Sequence, residues 1–162
     1  MKNVGDIIVY KKDVCKIVNI INNYFNNKDY YDLVPMYDNT LSIKVPVDSS
    51  LIRDVISKEK ALSLINDVNN IKPLNINDKF IENEYKKLLE SNNLENLFII
   101  IKTTYMRNSD RVLNGKKEGE RDNNYLHKCE QILFNELAVS LNLSFDEVKE
   151  MIINIASKDK NE

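Results

Sequence analysis

One histidine, two cysteines and a group of five cations are the residues whose types could do chemistry in this chain. The histidine, His127, has no second histidine to share a metal with, so a zinc site or a Ser-His-Asp arrangement is hard to build around it. Cys15 and Cys129 lie far apart and belong to no CxxC, so they read as two reduced, buried thiols. Carboxylates are plentiful, but none is paired with the histidine, a cysteine or a glycine-rich phosphate loop, and no Walker or dinucleotide motif occurs. These features predict a protein that binds rather than catalyses, with no metal, no cofactor and no small-molecule substrate.

The cations are Arg107, Arg111, Lys116, Lys117 and Arg121, gathered around the loop "NGKKEGERD". Arg107 and Arg111 are one helical turn apart, which puts them on one face of a helix. Such a group suits phosphate contact. It equally suits a solvated charged helix end. The balance around it is neutral, because ten lysines and arginines between residues 78 and 130 face ten aspartates and glutamates. The whole chain carries a formal net charge of −2, so no global basic field points to nucleic acid. Tyr105 is the nearest aromatic able to stack or wedge, and core packing suits it better.

The elements that must position these residues divide the chain in two. All three prolines, Pro35, Pro46 and Pro73, lie in the first half, and only Gly115 and Gly119 follow them. The first half alternates with period two: Ile7 and Val9, then Val14 and Ile17, then "NKDYYDLVP" and "NTLSIKVPV", with Asp38-Asn39 as the turn between the last two. That pattern predicts four or five short strands in a small half-open barrel. Beyond it the apolar spacing is helical. Ser57 precedes a first helix; a second runs from about Asp78 to Ser91 and is broken by Asn92-Asn93. "LENLFIIIKTTYMRNSDRVL" forms a very apolar third, read as the central one, and "NNYLHKCEQILFNELAVSL" a fourth. The fifth starts at Ser144, whose spacing to Glu147 is that of a capping box. The Asn-Asn pairs are dispersed among apolar segments and are read as compositional bias without a role.

The prediction is therefore an α+β chain, with a β module at 1–52 and a compact domain of about five helices at 53–162. With 43% hydrophobic and 30% charged residues it has the composition of a globular protein. No apolar run approaches the roughly 20 residues that span a bilayer, and no leader-like segment opens the chain, so a cytoplasmic location is expected.

Five pieces of this sequence resemble, in order and spacing, the CarD-like bacterial transcription regulators. They are "VGDIIVY" at 4–10, "LSIKVPV" at 41–47, "LIRDVIS" at 51–57, "YKKLLESNNLENL" at 85–97 and "ILFNELAVSL" at 132–141. The β module of that family is also similar to the polymerase-interacting domain of the transcription-repair coupling factor. The resemblance implies a Tudor-like (SH3-like) module that binds the β subunit of RNA polymerase. It also implies a helical domain that touches promoter DNA near the melted region, acting by association with the polymerase and nucleoid. Carried onto this chain, a basic polymerase contact falls at Lys44 and a second contact near Tyr24. The alternating strand Leu41, Ile43, Lys44, Val45, Pro46 suits edge pairing with a partner strand. Lys44 is also read as a solvated edge lysine, and Tyr24 as plain packing.

The chain departs from the family in its helical half. The family's tryptophan wedge falls at Asp78, read here as an N-cap, and there is no tryptophan in the chain. Neighbouring basic positions fall on Phe80, Ile81, Asn83 and Asn123-Asn124. Two functions follow as expectations: a regulator that docks on the polymerase and touches DNA weakly and without sequence preference, or a polymerase- or protein-binding adaptor that has lost the DNA contact.

Overall fold

The computed structural model describes residues 1–158. It contains five strands, β1 (Ile7–Tyr10), β2 (Asp13–Phe25), β3 (Lys28–Pro35), β4 (Ile43–Pro46) and β5 (Ile52–Asp54). Five helices follow: α1 (Lys58–Asn66), α2 (Asp78–Glu90), α3 (Leu94–Leu113), α4 (Glu120–Leu141) and α5 (Phe145–Lys158), with a 3₁₀ turn at Val68–Asn70. The described chain divides into two compact units, 1–57 and the residues from Lys58 onward. The division falls beyond residue 52 because Ile52–Asp54 pair with β1 as a fifth strand.

The strands form one antiparallel sheet in the order β4-β3-β2-β1-β5, which is not closed: β4 and β5 are its two edges. Its inner face gathers Ile8, Cys15, Ile17, Tyr31, Leu33 and Val45, all buried, with Tyr10, Ile20, Ile43, Val47 and Ile52 against them. Period-two alternation places these residues on one side of the pleat. Burial holds the Cys15 thiol well above its ordinary value, at about 11, so it stays a protonated, apolar core group.

β2 is much longer than the alternation at Val14 and Ile17 predicts. It continues through Asn22-Asn23 to Phe25, with register irregularities between Ile17 and Asn19 and between Ile21 and Phe25. Asn23 takes φ 50° at the second irregularity, and its N–H donates to Asp29 Oδ1 at 3.0 Å. The hairpin then closes on Asn26-Asn27, at φ 50° and 57°, between the paired residues Phe25 and Lys28. Positive φ at both central residues is the signature of a type I′ turn, whose twist matches that of the flanking strands. Asn92 after α2 and Asn142 after α4 are also left-handed. Asparagine tolerates this region because its short polar side chain bonds locally. The asparagines thus have a structural role that composition alone does not reveal.

In the helical unit the caps are local. The side chain of Asn77 accepts from Lys79 N–H at 2.9 Å to start α2, and that of Asn93 accepts from Glu95 N–H at 2.9 Å to start α3. Asp78 is therefore the first residue of α2 and not its cap. Ser144 and Glu147 form the reciprocal capping box of α5, at 3.1 and 3.2 Å. The core is built from Ile81, Tyr85, Phe98, Ile100, Cys129, Leu133, Leu137 and Val148, all buried. The hub is α4, which packs against α1, α3 and α5, whereas α3, expected as the central helix from its apolar run, packs against α2 and α4.

Candidate functional site

The first candidate surface is the outer face and edge of β4. Register pairs Tyr30 with Pro46, Tyr31 with Val45, Asp32 with Lys44 and Leu33 with Ile43. Just past the strand, Val47 N–H donates to Asp29 O at 3.1 Å. Antiparallel pairs alternate between bonded and non-bonded, so Val45 and Ile43 turn their backbone groups toward β3. The N–H and C=O of Lys44 then face away from the sheet, whereas the C=O of Pro46 is already taken by Ser49 N–H at 3.0 Å. Pro46 has no N–H, so the outward ladder ends there.

Side chains sort the same way. Val45 is only 2% exposed and belongs to the inner core, and Ile43 packs against it. Val45 is hidden from a partner and Ile43 is half-buried, contrary to what alternation along 41–46 suggests, because the inward positions of β4 are the apolar ones. Leu41 lies before β4 begins and is 42% exposed. On the outer face Lys44 Nζ sits 2.8 Å from Asp32 Oδ2 and donates to Ser42 Oγ at 2.7 Å. Burial alone would raise the Asp32 carboxyl, but the bonds from Lys44 and Ser42 outweigh it and hold Asp32 below the usual carboxylate range. Tyr24 is half-exposed and meets the Tyr30 ring edge-on, with centroids 5.1 Å apart. Tyr30 faces Pro46 in register, so it joins Tyr24 to the edge strand. Tyr30 was not singled out from sequence; its place opposite the strand-ending proline is the signal that finds it.

The second candidate surface is the corner where α2, α3, α4 and the loop 114–119 meet. It brings the five cations together and leaves them in different states. Arg107 Nε donates to Asp122 Oδ2 at 3.0 Å, and its Nη2 donates to Asp78 Oδ1. Asp122 is buried and also accepts from the Tyr85 hydroxyl at 2.8 Å. Burial, then Asp122, pushes the Tyr85 phenol far above its ordinary value, so it stays a neutral donor. Burial would lower Arg107, but Asp78 and Asp122 outweigh it and raise it. Arg107, expected as a phosphate contact, is thus a partly buried structural cation with two acidic partners.

Arg121 pairs with Glu82 at 3.4 Å. Arg111 Nε donates to the Lys117 carbonyl at 2.8 Å and shapes the loop. Asn108 completes the frame: its Oδ1 accepts from Gly119 N–H at 2.9 Å, and its Nδ2 donates to Asn123 at 2.8 Å. Lys116 and Lys117 sit exposed on that loop. Tyr105 is committed as well, donating to the buried Glu130 at 3.2 Å; burial and Glu130 push it up to about 12.

Among the described residues no three His, Cys, Asp or Glu side chains are grouped to hold a metal ion. No described helix is long and apolar enough to cross a membrane. Compared with known proteins, the chain matches no family model and no curated protein.

Proposed function

We propose that this chain is a docking regulator of transcription of the CarD-like kind, which adds its β4 edge to a strand of the RNA polymerase β subunit. The observation that carries the reading is the open edge at Lys44, an outward N–H and C=O framed by Tyr24, Tyr30 and Pro46 on the outer face. An edge of this kind gives affinity through main-chain bonds, and its side chains give register. The order of the five sequence pieces supplies the identity of the partner.

In this reading the helical unit contacts upstream promoter DNA weakly, through Arg111, Lys116, Lys117 and Arg121. Tethering to the polymerase raises the effective concentration of that second contact, so little intrinsic DNA affinity is needed. With two to four phosphates neutralised, the salt dependence has a slope of only about −2 to −4. The protein works by binding, without a catalytic step or cofactor.

The adaptor reading, in which DNA contact is absent, has its own support. Arg107 is consumed by Asp78 and Asp122, and Arg121 by Glu82. Promoter-complex lifetime separates the two readings once docking is measured.

Docking is tested by titrating the purified chain against the N-terminal lobe of its own host's polymerase β subunit. Lys44→Pro removes the outward N–H together with the ion pair to Asp32 and leaves the backbone bonds to β3 in place, whereas Lys44→Gln removes the ion pair and keeps the N–H. Binding by the wild type that Lys44→Pro abolishes and Lys44→Gln only weakens is the expected result. No binding by the wild type at high micromolar concentration rejects the docking.

A further inference from the structure

Arg107 carries one positive charge and has two carboxylate partners, and the two are not alike. Asp122 is 3% exposed in its side chain and is fixed by the Tyr85 hydroxyl, so it is the counter-ion that the fold buries with Arg107. Asp78 is 72% exposed and meets only the outer Nη2 of the guanidinium. Charge balance of the buried pair does not require it.

Asp78 sits among further cations. Arg107 beside it, with Arg121 and Arg111 at longer range, holds its carboxyl below the usual range. It also occupies the first turn of α2, where the helix dipole favours an anion. The acids Asp78, Asp122 and Glu82 balance the cations Arg107, Arg111 and Arg121. Removing the exposed acid leaves these six groups with one net positive charge, beside a loop where Lys116 and Lys117 stand with Glu118 and Glu120. Guanidinium groups grip phosphate oxygens by the same charge-assisted bonds that they make to carboxylates.

We infer that Asp78 is a built-in competitor: its carboxylate occupies the place, bounded by Arg107, Arg111 and Arg121, that a phosphate group of a polyanion would take. This rests on the DNA-contact half of the proposed function and adds its regulation. The corner is self-occupied in the free protein, which keeps DNA affinity low until docking supplies the second contact.

The test uses the full chain as wild type, Asp78→Asn and Glu150→Gln, the last removing one exposed carboxylate from α5 as a charge-matched control. Each is titrated with random-sequence duplex DNA by fluorescence anisotropy at low salt, and with inorganic pyrophosphate by calorimetry. Asp78→Asn is expected to bind duplex about three- to tenfold tighter than wild type, with a salt slope steeper by about one. Glu150→Gln is expected to stay within about twofold. Arg111→Gln added to Asp78→Asn is expected to remove the gain.

Asp78→Asn matching Glu150→Gln overturns the inference, whether or not the wild type binds DNA. A gain for pyrophosphate without one for duplex keeps the competitor and rejects the DNA reading. No binding of either probe by Asp78→Asn overturns the inference and leaves docking on the polymerase standing. Asp78→Ser, which keeps a good residue for a first turn, gives the same reading should Asp78→Asn fold poorly.

Discussion

The β4 edge and the arginine corner are both contact surfaces in waiting, and the fold treats their polar groups in opposite ways. At β4 the backbone groups of Lys44 point outward with no strand to meet them, and the ion pair beside them, Lys44–Asp32, is only partly buried. At the corner Arg107 and Arg121 already have acidic partners, one of them buried, and Arg111 is held by a backbone carbonyl. The edge is available because its pairing is incomplete. The corner is restrained because its arginines are already engaged. What a surface can bind follows from what remains unpartnered, and residue type alone does not report that.

The largest effect that would break this contrast comes from Asp122→Ala. It strands a partly buried guanidinium and a buried phenol, and about 3–5 kcal/mol of stability should be lost from the helical unit. Urea unfolding followed by far-ultraviolet circular dichroism measures it; a loss below about 1 kcal/mol would mean that the network does not hold the corner together. Tyr85→Phe deletes one donor to a carboxylate and should cost about 1–2 kcal/mol in the same assay. No loss would show that Arg107 alone satisfies Asp122.

Effects in the β unit are smaller, as its exposed pairing predicts. Asn26→Ala puts a residue without a local bonding group into a left-handed position and should cost about 1 kcal/mol. Asn27→Gly creates the favoured Asn-Gly pair and should be neutral or stabilising. Equal losses from the two would argue against a type I′ turn, and thermal unfolding reads both.

The smallest effect is the pH dependence of the Asp32–Lys44 pair. The Asp32 carboxyl is depressed in the folded state, so its contribution is complete above the unfolded value, near 4, and is lost as pH falls through the lower folded one. Asp32→Asn should therefore cost about 0.5–1 kcal/mol at neutral pH, and the difference from wild type should vanish in acid. A difference that persists below about pH 2 would assign the effect to packing.

The helical half was largely legible from sequence. Leu94–Leu113 forms the helix that its periodicity predicts, and the Ser144–Glu147 spacing is a capping box in three dimensions. Local signals suffice where caps and apolar spacing act within a few residues. The state of Arg107 was not legible, because its partners lie 29 residues before it and 15 after it. A signal did exist: Asp122 is in register with Leu126, Cys129 and Leu133 on the buried face of α4, and a carboxylate at a core position demands a partner. The length of β2 was hidden for another reason. Asn22-Asn23 and Asn26-Asn27 read as loop residues, whereas one pair carries a bulge and the other a two-residue turn.

The left-handed corners bear on the denatured chain as well. Among the described residues, five of the six non-glycine residues with positive φ are asparagines, in a protein with three glycines. A glycine at each of these places would reach the same dihedral with less steric cost, but it would also widen the set of conformations the disordered backbone explores. Asparagine restricts that set before folding begins. Each corner therefore surrenders less conformational entropy when it closes, which helps a β unit with so short a sheet to remain folded.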